Sequence, residues 1–187
     1  MMRIISGYLK GKKIIQPNNK ITRPLKDLTK ESIFNIIEHS NLIKFDLNKS
    51  EVLDLFSGIG SFGLECISRG AKNVTFYESY PETVKILKKN ILIFECQNKT
   101  EVITENIFNI KNFSKFKKKK FEIIFLDPPY KEKKLTNLLD DILSLRILKK
   151  NGIIIIHRHK KEKENYPKKF NIIKIKTYGI SKIIFGN

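Results

Sequence analysis

The sequence predicts a doubly wound α/β domain with a small basic extension at its amino end. Three observations predict it. From residue 46 onward, short apolar runs suited to strands alternate with stretches of helical periodicity, which implies βαβ units and a parallel sheet. A glycine-rich turn, Asp54-Leu-Phe-Ser-Gly58-Ile-Gly60-Ser-Phe-Gly63, joins the first run to the helix after it. The last two β-like stretches have no helical pattern between them and read as a hairpin added to the sheet.

Residues 1–45 form the extension. Arg3-Ile-Ile and Lys13-Ile-Ile flank Gly7 and Gly11, which suits a small β-hairpin, and residues 17–22 are a polar loop. From about Asp27, the residues Ile33, Phe34, Ile36 and Ile37 make one apolar face of a helix that packs on the main domain, residues 46–187. There, Glu51 to Phe56 is the first strand, and Ser61 to Arg69, closed by Gly70, is a helix. Asn73 to Glu78 is the second strand, and Pro81 opens a helix with Val84, Leu87, Ile91 and Leu92 on one face. Glu101 to Thr104 and Phe121 to Leu126 are the third and fourth strands. Leu135, Leu138, Leu139, Ile142 and Leu143 lie at helical spacing, and Ile153 to Ile156 is the fifth strand. Phe170 to Lys176 and Ser181 to Phe185 complete the hairpin.

Composition narrows the function classes. With 187 residues and 41% hydrophobic side chains, the chain can bury a core, which excludes wholesale disorder. The longest apolar runs, such as Ile153 to Ile156, are four residues, too short to cross a bilayer. The start, Met-Met-Arg-Ile-Ile-Ser-Gly, lacks the apolar stretch of a signal peptide. Cys66 and Cys96 sit in no C-x-x-C pair, which argues against a disulfide framework or structural zinc. A soluble, cytoplasmic monomer is expected.

The net charge is +18, and its distribution carries the argument. Residues 1–30 carry +7 and residues 111–187 carry +14, whereas residues 51–110 carry −2. Codon bias toward lysine would spread evenly. Positive charge segregated around a neutral centre suggests a face turned to a polyanion. The run Lys117 to Lys120 taken alone reads as a solvated loop.

Two motifs carry chemistry. In the glycine turn, Gly58 and Gly60 let the backbone bend sharply and let a ligand approach the helix N-terminus. Glu78 stands twenty residues after Gly58, where a carboxylate can grip two ribose hydroxyls. The arrangement suits an adenosine cofactor, either a dinucleotide or S-adenosylmethionine. Asp54 favours the second, because a carboxylate there suits a cationic amino acid and would repel a pyrophosphate.

The second motif, Asp127-Pro128-Pro129-Tyr130, ends the fourth strand, which in a doubly wound sheet lies beside the first across the switch point. Both motifs then face one crevice. Proline donates no N–H, so carbonyls here are left free to accept hydrogen bonds. Asp127 adds a side-chain acceptor and Tyr130 a stacking face. These are what a flipped-out base with an exocyclic amine requires.

With these residues the sequence resembles the amino-directed methyltransferases that carry a D/N-P-P-Y/F motif. More closely, it is similar to the RsmD family, the guanine-N2 methyltransferases of 16S ribosomal RNA. The resemblance runs from Arg3-Ile-Ile-Ser-Gly7 with Gly11-Lys-Lys, through Thr22-Arg-Pro24 and Lys30-Glu-Ser-Ile-Phe-Asn35. It continues over Asp54 to Gly63, Leu64-Glu65, Ser68-Arg69-Gly-Ala71 and Asp127 to Tyr130. It implies a Rossmann-like sheet, mostly parallel with an antiparallel last strand, as the catalytic domain. It also implies S-adenosylmethionine as methyl donor, S-adenosylhomocysteine as product, and a basic hairpin that helps hold RNA, either naked or in an assembled or partly assembled small subunit.

Carried over by residue, Asp54, Phe56, Gly58 and Gly60 line the methionine part, Glu78 holds the ribose, and Asn106 lies near adenine. Ile107 departs from the small residue usual after that asparagine. Arg3, Lys10, Lys12, Lys13, Arg23 and Lys30 are the expected RNA contacts. The fifth strand ends in His157-Arg-His159 where relatives are often acidic, and no carboxylate or cysteine at ligand spacing supports a metal there. The expected reaction is direct methyl transfer to guanine N2 without a metal. Its rivals are an adenine-N6 methyltransferase, an NAD-dependent oxidoreductase and a non-catalytic RNA-binding protein.

Overall fold

A computed structural model describes residues 2–17, 25–41, 43–108, 116 and 119–187. Seven strands form one sheet: β1 Glu51–Leu55, β2 Asn73–Tyr77, β3 Thr100–Ile103, β4 Phe121–Leu126, β5 Leu148–His159, β6 Ile172–Tyr178 and β7 Ser181–Gly186. Their order is β3-β2-β1-β4-β5-β7-β6. The first five run parallel, and β7 lies antiparallel between β5 and β6. The described α-helices are α1 Asp27–His39, α2 Ser61–Ser68, α3 Pro81–Ile93 and α4 Leu135–Ser144.

Alternating side chains of the buried strands feed two cores, one on each face, as parallel strands covered on both sides require. On one face Phe34 of α1 stacks on Phe62 of α2 with ring centroids 5.3 Å apart, and Phe62 stacks on Phe125 of β4 at 3.9 Å. On the other, Leu135, Leu138, Leu139 and Ile142 of α4 pack on Ile124, Ile154 and Ile184. In α3, Val84, Leu87 and Ile91 are buried as their spacing predicts, but Leu92 is 61% exposed. It lies one residue beyond the apolar stripe. β5 runs well past Ile153–Ile156: it begins at Leu148, paired to Phe121 before a register shift, and extends through His157, Arg158 and His159 against β7.

The amino-terminal segment is pinned to α2. Ile5 and Ser6 N–H donate to the Glu65 carboxylate at 2.8 and 2.9 Å, and Tyr8 N–H donates to Ser68 O at 2.9 Å. A Cβ on Gly7 would lie 1.8 Å from that same oxygen, so only glycine permits the approach. The expected hairpin forms: Arg3 and Lys13 make an antiparallel bridge, with Ile4 N–H donating to Lys12 O at 2.9 Å, Gly11 N–H to Ile4 O at 2.9 Å and Ile14 N–H to Met2 O at 3.0 Å.

Candidate active site

β1 and β4 are neighbours, with Leu55 opposite Leu126, so the glycine turn and the Asp127 tetrapeptide open at the same edge of the sheet. They border a cleft of about 580 Å³ that also meets Leu25, Glu78, Phe108 and His157. This is the crevice at the carboxyl ends of parallel strands where doubly wound sheets hold ligands.

Asp54 is the buried anchor. Its Oδ2 accepts from Gly63 N–H at 2.9 Å, so the strand carboxylate caps a first-turn donor of α2. Its Oδ1 is buried and has no hydrogen-bond partner among the described residues. Burial pushes the Asp54 carboxyl well above the usual carboxylate range; the Gly63 N–H opposes the rise, and Asp127 and Glu78 add to it. An ionised Asp54 therefore calls for a cation in the cleft.

Glu78 ties the loops together. Its Oε2 accepts from Gly58 N–H at 2.9 Å and its Oε1 from Tyr80 N–H at 2.8 Å. Each carboxylate oxygen keeps a further lone pair for a hydroxyl. A Cβ on Gly58 would meet nothing within 4 Å, and its φ of 56° is left-handed, so the space beside it is open cleft. Gly60 does different work: a Cβ there would lie 2.5 Å from Leu87, which makes this glycine a packing residue under α3. Phe56 also has a left-handed φ, 58°, a strained position for an aromatic residue, and its ring lies 5.8 Å from that of Phe108 on the cleft wall. Asn106 does not border the cleft. Its Oδ1 accepts from Phe108 N–H at 3.0 Å and shapes the turn that delivers Phe108.

The tetrapeptide is held from β5. Arg158 is buried, and its guanidinium donates to Pro128 O at 3.3 Å, Pro129 O at 2.8 Å and Tyr130 O at 2.9 Å. Glu164 pairs with Arg158 Nε and balances its charge. The proline carbonyls are thus not free, as the lack of proline N–H had implied; a buried arginine engages them. His157 Nδ1 lies 2.8 Å from Asp127 Oδ1, and His159 meets the Tyr130 ring edge-on at 5.1 Å. Arg158 and the role of His157 were missed by motif reading, because nothing at the end of an apolar strand says which way a charged side chain turns. Phe108 was missed because it lies in a loop outside both motifs.

Of the expected RNA contacts, Arg3, Lys10, Lys12 and Lys13 are exposed, and Arg23 lies outside the described residues. Lys30 is a correction. Its side chain is fully buried, with Nζ 3.2 Å from Glu65 Oε2 and donating to Arg3 O at 2.8 Å, so it cannot reach a phosphate. Burial lowers its pKa, and Glu65 opposes that fall. Tyr8, 61% exposed among the lysines with Lys99 Nζ 5.8 Å from its ring, is a surface aromatic that the motifs did not mark.

The unpartnered Asp54 Oδ1, the open side of Gly58 and the Glu78 carboxylate fit the amino-acid and ribose parts of S-adenosylmethionine. Known proteins resemble this chain over nearly its whole length. The ribosomal RNA small subunit methyltransferase D of Haemophilus influenzae is 34% identical over 184 residues, covering 96% of this chain and 90% of the relative. The crystal structure of a putative methylase from Haemophilus influenzae superposes with a TM-score of 0.73 at 30% identity, covering 99% of this chain and 97% of that one. A putative methyltransferase complexed with SAH shares the fold at a TM-score of 0.64 and 16% identity, over 84% of this chain and 49% of that one. The model of the family described as conserved hypothetical protein 95 matches residues 2–187, and the chain belongs to that family, the RsmD-type methyltransferases.

Proposed function

We propose that this protein transfers a methyl group from S-adenosylmethionine to the exocyclic N2 amine of a guanine in 16S ribosomal RNA. The observation that carries the reading is the pairing, in one cleft, of Asp54 with its bare buried oxygen and the Asp127 tetrapeptide. The first asks for a cationic cofactor group and the second for an amine. The name of the Haemophilus influenzae relative supplies the class of RNA.

When bound, S-adenosylmethionine supplies an electrophilic methyl group on a sulfonium that is already a good leaving group. Asp54 would pair with the α-amino group, and Glu78 would accept from ribose hydroxyls while keeping its two loop amides. Asp127 Oδ1 is taken by His157, which leaves Oδ2 to accept an N2–H. That bond orients the nitrogen lone pair and stabilises positive charge developing there, an effect worth about 2.7–4 kcal/mol for a preorganised group. The Pro128 carbonyl, bound by Arg158 at 3.3 Å, keeps a second lone pair for the same amine. Tyr130 would stack on the base for roughly 1–3 kcal/mol. The methylated amine then loses its proton to water, so no general base is needed.

The exposed Arg3, Lys10, Lys12 and Lys13 would position the RNA backbone from the extension. The test is methylation of naked 16S RNA and of small subunits from cells that lack the enzyme, with modified nucleosides identified by mass spectrometry. N2-methylguanosine supports the reading. N6-methyladenosine would overturn the choice of base, and no product on either substrate would overturn the choice of RNA.

A further inference from the structure

Among the side chains that line the cleft beyond the acceptor and cofactor groups is a buried histidine, His157. His157 lies on the face of β5 that carries Ile153 and Ile155, and it is 5% exposed. Its ring reaches in two directions. Nδ1 lies 2.8 Å from Asp127 Oδ1, and Nε2 lies 2.9 Å from Ser181 Oγ, at the start of β7. An ionised carboxylate only accepts, so Nδ1 carries the proton and donates to it, while Ser181 fixes the other side of the ring. Asp127 has one further bond, its own N–H donating to Leu55 O at 3.3 Å, and no second side-chain partner among the described residues. The χ2 rotation of an aspartate is broad and nearly two-fold. Without a tether, the carboxylate facing the base would swing.

We infer that His157 is a positioning residue for methyl transfer: anchored by Ser181, it holds Asp127 Oδ1 so that Oδ2 faces the acceptor amine. This rests on the reading of Asp127 as the acceptor of the amine. β7 makes the device possible, because this antiparallel strand runs back beside β5 and brings Ser181 opposite His159, within reach of the His157 ring. The tether acts on the nucleophile's partner and not on Asp54 or Glu78. Its loss should therefore appear in kcat and leave cofactor affinity alone.

The test compares His157→Phe, which keeps a ring and loses the donor, with His157→Asn, whose carboxamide nitrogen can stand near the position of Nδ1. His157→Leu serves as a second donor-free variant should phenylalanine fail to fold. Single-turnover methylation of small subunits gives the rate, and calorimetry with S-adenosylhomocysteine gives cofactor affinity. The donor-free variants are expected to lose about 100-fold in rate, the scale of a misplacement of about 1 Å at a reacting group. The asparagine variant should recover most of it, with affinity for S-adenosylhomocysteine unchanged in all three. A merely structural histidine predicts the reverse order, since an apolar side chain suits a buried site better than asparagine. Equal rates in His157→Phe and wild type would overturn the positioning role alone. An Asp127→Ala protein that methylates small subunits at the wild-type rate would instead overturn the acceptor assignment beneath it.

Discussion

Replacing Lys30 with Met should destabilise the fold and leave the salt dependence of RNA binding unchanged. The ammonium is fully buried between Glu65 Oε2 at 3.2 Å, Arg3 O at 2.8 Å and Ser61 Oγ at 3.4 Å. Removing one partner of a buried ion pair costs about 3–5 kcal/mol. Glu65 would keep Arg69 Nε at 2.9 Å and the N–H groups of Ile5 and Ser6, so its charge stays compensated. The methionine fills most of the vacated volume, which leaves the Arg3 carbonyl as the main unpaired group. These arguments select the lower end, about 3 kcal/mol. For a domain of this size each kcal/mol lowers Tm by about 2–4 °C, so melting should fall by about 6–12 °C. Circular dichroism melts measure the loss, and filter binding across a salt series measures the RNA contacts. An unchanged Tm with a salt slope flatter by about 0.7–0.9 would make Lys30 a phosphate contact and refute the reasoning.

Four further outcomes are expected. Gly58→Val should abolish binding of S-adenosylhomocysteine in calorimetry, because the added side chain enters open cleft, and should melt lower than wild type, because a β-branched residue is strained at a φ of 56°. Unchanged affinity in the folded variant would move the cofactor elsewhere. Asp127→Ala should lower turnover by orders of magnitude with much less effect on cofactor affinity, whereas equal losses would make Asp127 a cofactor or folding residue. Neutralising Lys10, Lys12 and Lys13 together should weaken RNA binding and flatten its salt slope by roughly 0.7–0.9 per contact, with cofactor affinity unchanged. Asp54→Asn should lose cofactor affinity yet melt higher than wild type at neutral pH. The folded Asp54 carboxyl titrates above its unfolded value of about 3.9, so the wild type loses stability as pH rises from there toward the folded value, and the two proteins should converge in acid.

Most of the parallel sheet was legible because its strands are apolar on both faces and short. β4 falls at Phe121–Leu126 and α3 begins at Pro81, both where the sequence marks them. The errors have local causes. β5 was truncated because Lys149, Lys150, Asn151 and Gly152 look like a loop, yet they pass a register shift and continue the strand. Gly152 is needed there, since a Cβ would lie 2.9 Å from Phe121 O. The amino-terminal hairpin was legible from its Ile and Gly pattern, but its attachment to α2 was not, because no local motif marks Glu65 and Ser68 as its partners.

The site shows a different boundary of what pattern can tell. Asp54, Gly58, Glu78 and Asp127 announce themselves, since each stands at a fixed offset in a local motif whose geometry the backbone imposes. Lys30, His157 and Arg158 belong to no such motif. Their roles depend on partners 27 to 35 residues away: Arg3 and Glu65 for Lys30, and Asp127 to Tyr130 for the two β5 residues. A buried charge is tolerated only when such partners are in place, so its burial reports tertiary structure and not local sequence. Lysine count could not separate Lys30, inside the protein, from Lys12 on its surface. The same reasoning makes the basic residues of β5 informative. Two adjacent basic side chains at the end of a central strand point to opposite faces of the sheet, and here one meets the Asp127 carboxylate and the other the carbonyls that follow it. Chemistry-bearing residues that sit outside any motif, at the carboxyl end of a strand bordering the cleft, are the ones to follow from the fold back to function.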